Sequence, residues 1–392
     1  VVRDHPRRVV VVAVLITLSA LALGSRVGRE YYNFDDIPET TEIKRSLRAV
    51  EAAHGGVVPL VLFVEPTVEL AQQPEPLTDP RAIALLDRLE RRLAEFPEVK
   101  AALSPATFLR KAHQVLAGPE PESPLPTTQA QVAQELLLID DGELMKDVLT
   151  IPRDAACVVA YMPDKGSTRA RAILAELDAF LAEETAGKPF RVTVTGNYVI
   201  ADAVYRSLVG GLLISLGIAI VVTFIFFCGV LRSWRLALIG LVPNLLPLAL
   251  TLGAMSLLGI DLKPTTVIVF SITLVIADDD TIQYLARFRR RYDELFAQGI
   301  PGLHQRAALE VLRGTGPPML VTTLVITLGF LCLRFSVFQG IGHLGTLIGI
   351  SLLTALAADL FLAPLLLIGL KPRIGGRSLS EKAPEQAADP ET

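Results

Sequence analysis

The chain has 392 residues, of which 51% are hydrophobic and only 20% charged, with a net charge of −4 and a mean hydropathy of +0.47. That balance excludes a disordered, collagen-like or disulfide-scaffold protein and makes nucleic acid an unsuitable partner. A soluble surface needs more charge, so the composition points to membrane helices with a polar insert.

Val9 to Leu23 is an apolar run preceded by Arg3, Arg7 and Arg8. Its length also fits a signal-peptide h-region, but its flanks can extend it to a membrane span, and an uncleaved first span is the expectation. A charged, proline-rich region follows, from Arg26 to about Arg206. Within it, Val57 to Val64 reads as a buried strand and Pro80 to Phe96 as a helix with Ile83, Leu86, Leu89 and Leu93 on one face. Val99 to Leu103 is a short strand, Pro119 to Pro126 an exposed loop and Gln129 to Leu138 a helix. Ala155 to Met162 is a strand, Thr168 to Glu184 a helix and Phe190 to Thr195 an alternating strand. The order β-α-β, helical interlude, β-α-β is the split ferredoxin-like pattern. His54 and His113 read as isolated side chains rather than ligands, and Cys157, Cys228 and Cys332 have no metal-binding spacing.

The apolar signal then returns five times: Leu208 to Leu231, Leu236 to Leu258, Thr265 to Ala286, Pro318 to Phe338 and Ile341 to Leu370. With six spans every basic cluster falls on one side. Arg232 and Arg235, then Arg287 to Arg313, then Lys371 and Arg377 join the arginines before the first span. The alternate short loops carry only Lys263 and Arg334. Both termini are therefore expected in the cytoplasm and the insert outside.

Asp278, Asp279 and Asp280 interrupt the fourth of these spans. One charged side chain at a helix centre costs about 2.5–3.5 kcal/mol, and three ionised in lipid roughly 8–10 kcal/mol. They must face the bundle interior or water, with at least one holding a proton, which is the chemistry of a proton relay. Successive helical residues are about 100° apart, so the three cannot share a face. Asp279 and Asp280 are expected to be the working pair; Asp278 is the third proton-coupling candidate and also the acid that best fits a local or span-end role. Asp359 in the last span, Asn244 between Pro243 and Pro247, and the hydroxyls of Thr322 and Thr323 are the candidate supporting groups.

One span, a large insert, then five spans resembles one half of a resistance-nodulation-division (RND) superfamily transporter, in its MMPL-like branch. The run from Ile276 to Arg289, IADDDTIQYLARFR, is similar to the family segment GIAVDDTIHFLARFR. Val242-Pro243-Asn244-Leu245-Leu246-Pro247, Thr195-Gly196, Gly329-Phe330 and Ala358-Asp359-Leu360 with Pro364 match as well. The resemblance puts the family's coupling pair on Asp279 and Asp280. Val275, Asp278 and Gln283 depart from it, standing where the family has Gly, Val and often His. The third acid leaves room for Na⁺ as the coupling ion.

The resemblance implies an α-helical membrane bundle of six transmembrane helices plus an α+β, ferredoxin-like extracytoplasmic porter domain. Its expected parts are residues 1–25, the first transmembrane helix with a cytoplasmic start, and 26–206, the porter-like domain. Residues 207–371 form the five-helix transmembrane region and 372–392 a disordered cytoplasmic tail. It implies a non-enzymatic exporter of hydrophobic or lipid-like molecules in the plasma (inner) membrane. A proton gradient drives it, and no cofactor or metal takes part. Its partners are membrane lipids, a hydrophobic substrate, and a second half-transporter or an identical chain. The start at Val1, close to the first apolar run, fits a piece of a longer chain as well as a short complete one. A sterol-sensing, non-transporting receptor module is the alternative of another class. An intramembrane aspartyl protease built on Asp279 and Asp359 lacks the YD and GxGD signatures.

Overall fold

The computed structural model describes residues 6–28, 30–118, 125–139 and 143–372. The chain divides into two compact units, Glu30–Leu208 and the remainder, Val1–Arg29 with Val209–Thr392. The expected disordered tail, but for its first residue, and most of the Pro119 to Pro126 loop lie outside the described residues.

Helix α1 (Pro6–Gly24) opens the chain. The unit Glu30–Leu208 then runs α2 (Glu42–His54), β1 (Val58–Pro66), α3 (Val68–Ala71), α4 (Pro80–Ala94), β2 (Ala102–Leu103) and α5 (Pro105–Ala117). It continues through α6 (Gln129–Ile139), α7 (Glu143–Lys146), β3 (Ala156–Met162), α8 (Ser167–Glu184) and β4 (Phe190–Thr195). The four strands form one antiparallel sheet in the order β2-β3-β1-β4, with Leu62 opposite Val158 on one side and Val194 on the other. Val58, Leu60, Leu62 and Val64 alternate inward along β1 and are buried with Ile83, Leu86, Leu89 and Leu93 of α4 and with Ile173, Leu177 and Leu181 of α8. Period two on the strand meets period 3.6 on the helices, which is what places all these side chains in one core.

The tight end of β4 needs Gly196. Its φ is +105°, and a Cβ there would come within 2.6 Å of the Pro59 carbonyl oxygen. Helix α2 has no buried residue, so it carries no apolar stripe to read. Its ends are local instead, a Thr41 cap and Gly55 at φ +93°. Helix α5 is likewise marked by its Ser104-Pro105 capping box rather than by periodicity. The strand expected from Val99 shrinks to Ala102–Leu103, because Val99 turns into the core. His113 is not isolated: its Nδ1 lies 2.7 Å from Glu135 Oε1.

The second unit is helical. After α1 come α9 (Asn197–Leu231), α10 (Trp234–Leu258), α11 (Pro264–Ala297), α12 (Leu303–Cys332), α13 (Gln339–Ala357), a π-turn at Ala358–Leu362 and α14 (Ala363–Leu370). Among the described residues four stretches are long and apolar enough to cross a membrane: Asn197–Leu231, Trp234–Leu258, Leu303–Phe335 and Gln339–Leu370. The described apolar part of α1, Val11–Gly24, is shorter, and α11 carries the three aspartates. Helix α9 starts at Asn197 rather than Leu208, and α12 at Leu303 rather than Pro318. Apolarity marks only the lipid-compatible part of each helix. Pro317 and Pro318 lie inside α12 instead of opening it. Ile214, Ile218, Val221 and Ile225 of α9, with Val325 and Leu328 of α12, face outward on the unit, an apolar surface of the kind that lipid or a partner helix covers.

The bundle packs closely where glycines allow it. A Cβ on Gly345 would stand 2.3 Å from the Phe330 carbonyl oxygen, whereas one on Gly329 would meet nothing within 4 Å. Gly345→Ala is therefore expected to lower stability by about 1–3 kcal/mol through overpacking. Gly329→Ala is expected to be neutral or to stabilise by up to about 1 kcal/mol through helix propensity. Unfolding titrations in mixed micelles check the pair, and equal effects would contradict this packing.

Candidate functional site

Helix α11 carries Asp278, Asp279, Asp280 and Thr281 in succession, and the helical twist sends them apart. Asp279 is exposed, Asp278 and Asp280 are half-buried and Thr281 is buried. Asp278 and Asp280 are about 200° apart around the axis, on opposite flanks.

On one flank lies an interior chain of polar groups. Thr223 of α9 donates its hydroxyl to Asp278 Oδ2 over 2.6 Å. Asn244 of α10 donates Nδ2–H to Asp278 Oδ1 over 2.6 Å. Thr281 Oγ1 lies 2.7 Å from Asn244 Oδ1 and 2.6 Å from Asp359 Oδ1. Asp359 is 2% exposed. Below them the Tyr284 hydroxyl donates to the Ala308 carbonyl of α12 over 3.2 Å.

Local sequence explains how the partners reach this layer. Pro243 and Pro247 lie inside α10, on either side of Asn244. Each removes one backbone hydrogen bond from the helix there. Asp359 sits in the π-turn, which is closed by the Ala363 N–H donating to the Ala358 carbonyl. Pro364 directly follows, without an N–H to offer the Leu360 carbonyl, and the widened turn takes up that conflict.

On the other flank, Asp279 and Asp280 line a cavity of about 610 Å³ together with Gln283 and Arg287 of α11 and Thr315, Pro318, Thr322 and Thr323 of α12. Thr323 donates to Asp280 Oδ2 over 3.2 Å. Thr322 lines the same cavity, but its hydroxyl bonds its own helix at the Pro318 and Met319 carbonyls. Asp279, Asp280, Gln283 and Arg287 recur at three- and four-residue spacing, so one face of α11 is polar along the cavity. Further along, Arg289 donates to the Leu231 carbonyl, where a cation suits the C-terminal end of α9.

All seven residues singled out from the sequence are thus in or beside this layer, but as two groups. Asp278, Asn244 and Asp359 belong to the interior chain; Asp279, Asp280, Thr322 and Thr323 belong to the cavity. The sequence reading missed Thr223 and the bridging role of Thr281. Thr223 is, with Ser215, one of two hydroxyls in an otherwise apolar stretch, and Thr281 follows Asp278 by three residues, the spacing of helix neighbours.

Helices this long and apolar, with acids facing an interior chain and a cavity, suggest a multi-pass membrane protein. The sequence matches the MMPL family over residues 68–388, and the chain belongs to that family. Membership suggests an RND-type transporter of lipid-like substances. No individual curated protein matches the sequence.

Asn244 is the joint of the interior chain, so Asn244→Ala is expected to cost about 1–3 kcal/mol by leaving Asp278 and Thr281 short of a partner. A double-mutant cycle with Asp278→Ala, read by unfolding in micelles, is expected to return a coupling of about 0.6–1.7 kcal/mol. Additive effects would contradict the contact.

Proposed function

We propose that this protein is a secondary active transporter of hydrophobic or lipid-like molecules, coupled to proton flow through Asp279 and Asp280. The observation that carries this reading is the acid pair facing a cavity of about 610 Å³ between two helices of an MMPL-family bundle. Two adjacent carboxylates in a polar, accessible recess can take up and release a proton at little structural cost. Asp278 differs, since Thr223 and Asn244 already satisfy it, and its role is separate. Thr323 positions Asp280, and Asp359 and Asn244 support the relay through Thr281. Na⁺ is the competing coupling ion.

The reading includes six spans, with α1 and α11 added to the four most apolar stretches. Arg232 and Arg235 at the α9–α10 junction, with the arginines in the last turns of α11 and the first turns of α12, favour a plasma (inner) membrane protein with both termini in the cytoplasm. The unit Glu30–Leu208 is then an extracytoplasmic porter-like domain. The strand order β2-β3-β1-β4 with α4 and α8 as its helices supports a ferredoxin-like topology for it. Transporters with parallel repeats pair two halves about an axis along the membrane normal. A second half or an identical chain is accordingly the partner. The reading is not an enzymatic one.

Two experiments test it. Proteoliposomes loaded with a fluorescent phospholipid analogue are given an inward or outward pH gradient. Asp279→Asn and Asp280→Asn are each expected to bring gradient-driven movement down to that of empty vesicles, at equal reconstituted protein. Movement driven by a Na⁺ gradient alone would transfer the coupling to Na⁺, and unchanged movement in both variants would refute the assignment. For topology, Glu183→Cys and Ser233→Cys are placed in a background lacking Cys157, Cys228 and Cys332. An impermeant thiol reagent on intact cells is expected to label the first and spare the second; the opposite pattern would invert the orientation.

A further inference from the structure

The interior chain is short of hydrogens. Asn244 Nδ2 donates to Asp278 Oδ1, which turns the amide oxygen toward Thr281. An amide oxygen only accepts, and so does an ionised carboxylate. Thr281 has one hydroxyl hydrogen, yet its Oγ1 sits 2.7 Å from Asn244 Oδ1 and 2.6 Å from Asp359 Oδ1. Both separations are hydrogen-bond lengths. One hydrogen cannot serve both acceptors, so the second must sit on Asp359. Its surroundings agree: Asp359 is buried, and no lysine or arginine among the described residues pairs with it. The titratable groups acting on it are Asp278, Asp280 and Tyr284, all on α11. The other elements packed against its turn, α1, α10, α13 and α14, bring no further titratable group to it among the described residues.

With that hydrogen in place, every donor points one way. Asp359 donates to Thr281, Thr281 to Asn244, and Asn244 to Asp278, while Thr223 donates to the second Asp278 oxygen. The reverse chain is equally complete. If Asn244 turns its amide over, a hydrogen on Asp278 donates to the Asn244 oxygen, Asn244 Nδ2 donates to Thr281, and Thr281 donates to an Asp359 carboxylate. With no carboxyl hydrogen, Thr281 faces two acceptors. With two, Thr223 has to stop donating to Asp278 Oδ2, accept from it instead and turn its own hydrogen elsewhere. Zero carboxyl hydrogens leave one acceptor facing another, and one hydrogen satisfies the chain with Thr223 donating to Asp278 as it does here.

We propose that Asp278 and Asp359 form a proton-binding site that holds one proton between them, with the Asn244 amide orientation recording which acid carries it. The site is distinct from the cavity pair, and the proposal stands whether or not Asp279 and Asp280 couple transport. It gives the third acid, which departs from the family segment, a chemical task. Thr251 of α10, Thr273 of α11 and Ser351 of α13 add a polar approach to it. All three are buried, with no hydrogen-bond partner for their hydroxyls among the described residues. They lie about two helical turns from Asn244, Thr281 and Asp359, toward the end where α10 stops and α11 and α13 begin.

The test is infrared spectroscopy of the full chain in lipid nanodiscs at neutral pH, in an Asp279→Asn/Asp280→Asn background that removes the cavity acids. Asp359→Asn is expected to delete one carboxylic-acid C=O band, and Asp278→Asn one carboxylate band. The converse assignment would also support a single shared proton, held at the other end. Loss of a carboxylate band in both variants, meaning no proton, or of a carboxylic-acid band in both, meaning two, would overturn the proposal. Thr281→Val keeps both acids and serves if Asp359→Asn does not fold. It is expected to shift the carboxylic-acid band, and an unshifted band would equally overturn it.

Discussion

Carboxylates inside an apolar helix bundle must each find hydrogen-bond donors or water, and the membrane unit is organised around that requirement. Three consecutive acids on α11 cannot turn to one partner, because each step along the helix rotates the side chain by about 100°. Asp278 is therefore delivered to α9 and α10, Asp280 to α12, and Asp279 to the open side between them. Thr281 then faces inward and meets Asn244 and Asp359. The irregular backbone lies where these partners are: two prolines flank Asn244, and a π-turn carries Asp359. Helical backbone is distorted here to bring polar side chains into one layer, while the regular stretches on either side supply apolar packing.

Much of this was legible in the residues. The strands Ala156–Met162 and Phe190–Thr195 and the helices Pro80–Ala94 and Ser167–Glu184 follow from side-chain period alone, since each buries one face. Helices without a buried face, such as α2, leave only caps to read. Apolar runs marked the membrane helices but not their ends, because α9 and α12 extend well past their apolar cores. The acids on α11 were visible as a cost that had to be met. What met it was not, because Asp278 and Asp359 are 81 positions apart in sequence (359 − 278 = 81) and only the fold joins them. Thr223 and Thr281 look like ordinary helix threonines until α9, α10 and the π-turn are packed against α11.

The separation of the polar layer into an interior chain and a cavity gives the extra aspartate a physical setting. A Val at position 278 would leave Thr223 and Asn244 without the acceptor they share here. The cavity group is built differently: among the described residues its acids have one side-chain donor, Thr323, and they line open space beside Gln283 and Arg287. One group is linked end to end by side-chain contacts and the other is accessible. That contrast is what a layer needs if one part holds the helices together and the other exchanges ions with its surroundings.

The most direct test of this account is thiol accessibility of the layer itself. Cysteine is placed singly at Asp278, Asp279, Asp280 and Asp359 in the background lacking the three native cysteines, and reaction with a small water-soluble thiol reagent is timed in reconstituted vesicles. The account expects Asp279→Cys and Asp280→Cys to react readily and Asp278→Cys and Asp359→Cys to be protected. Equal reaction at 278 and 279, or protection of 279 and 280, would contradict the division of the site into an interior chain and an accessible cavity.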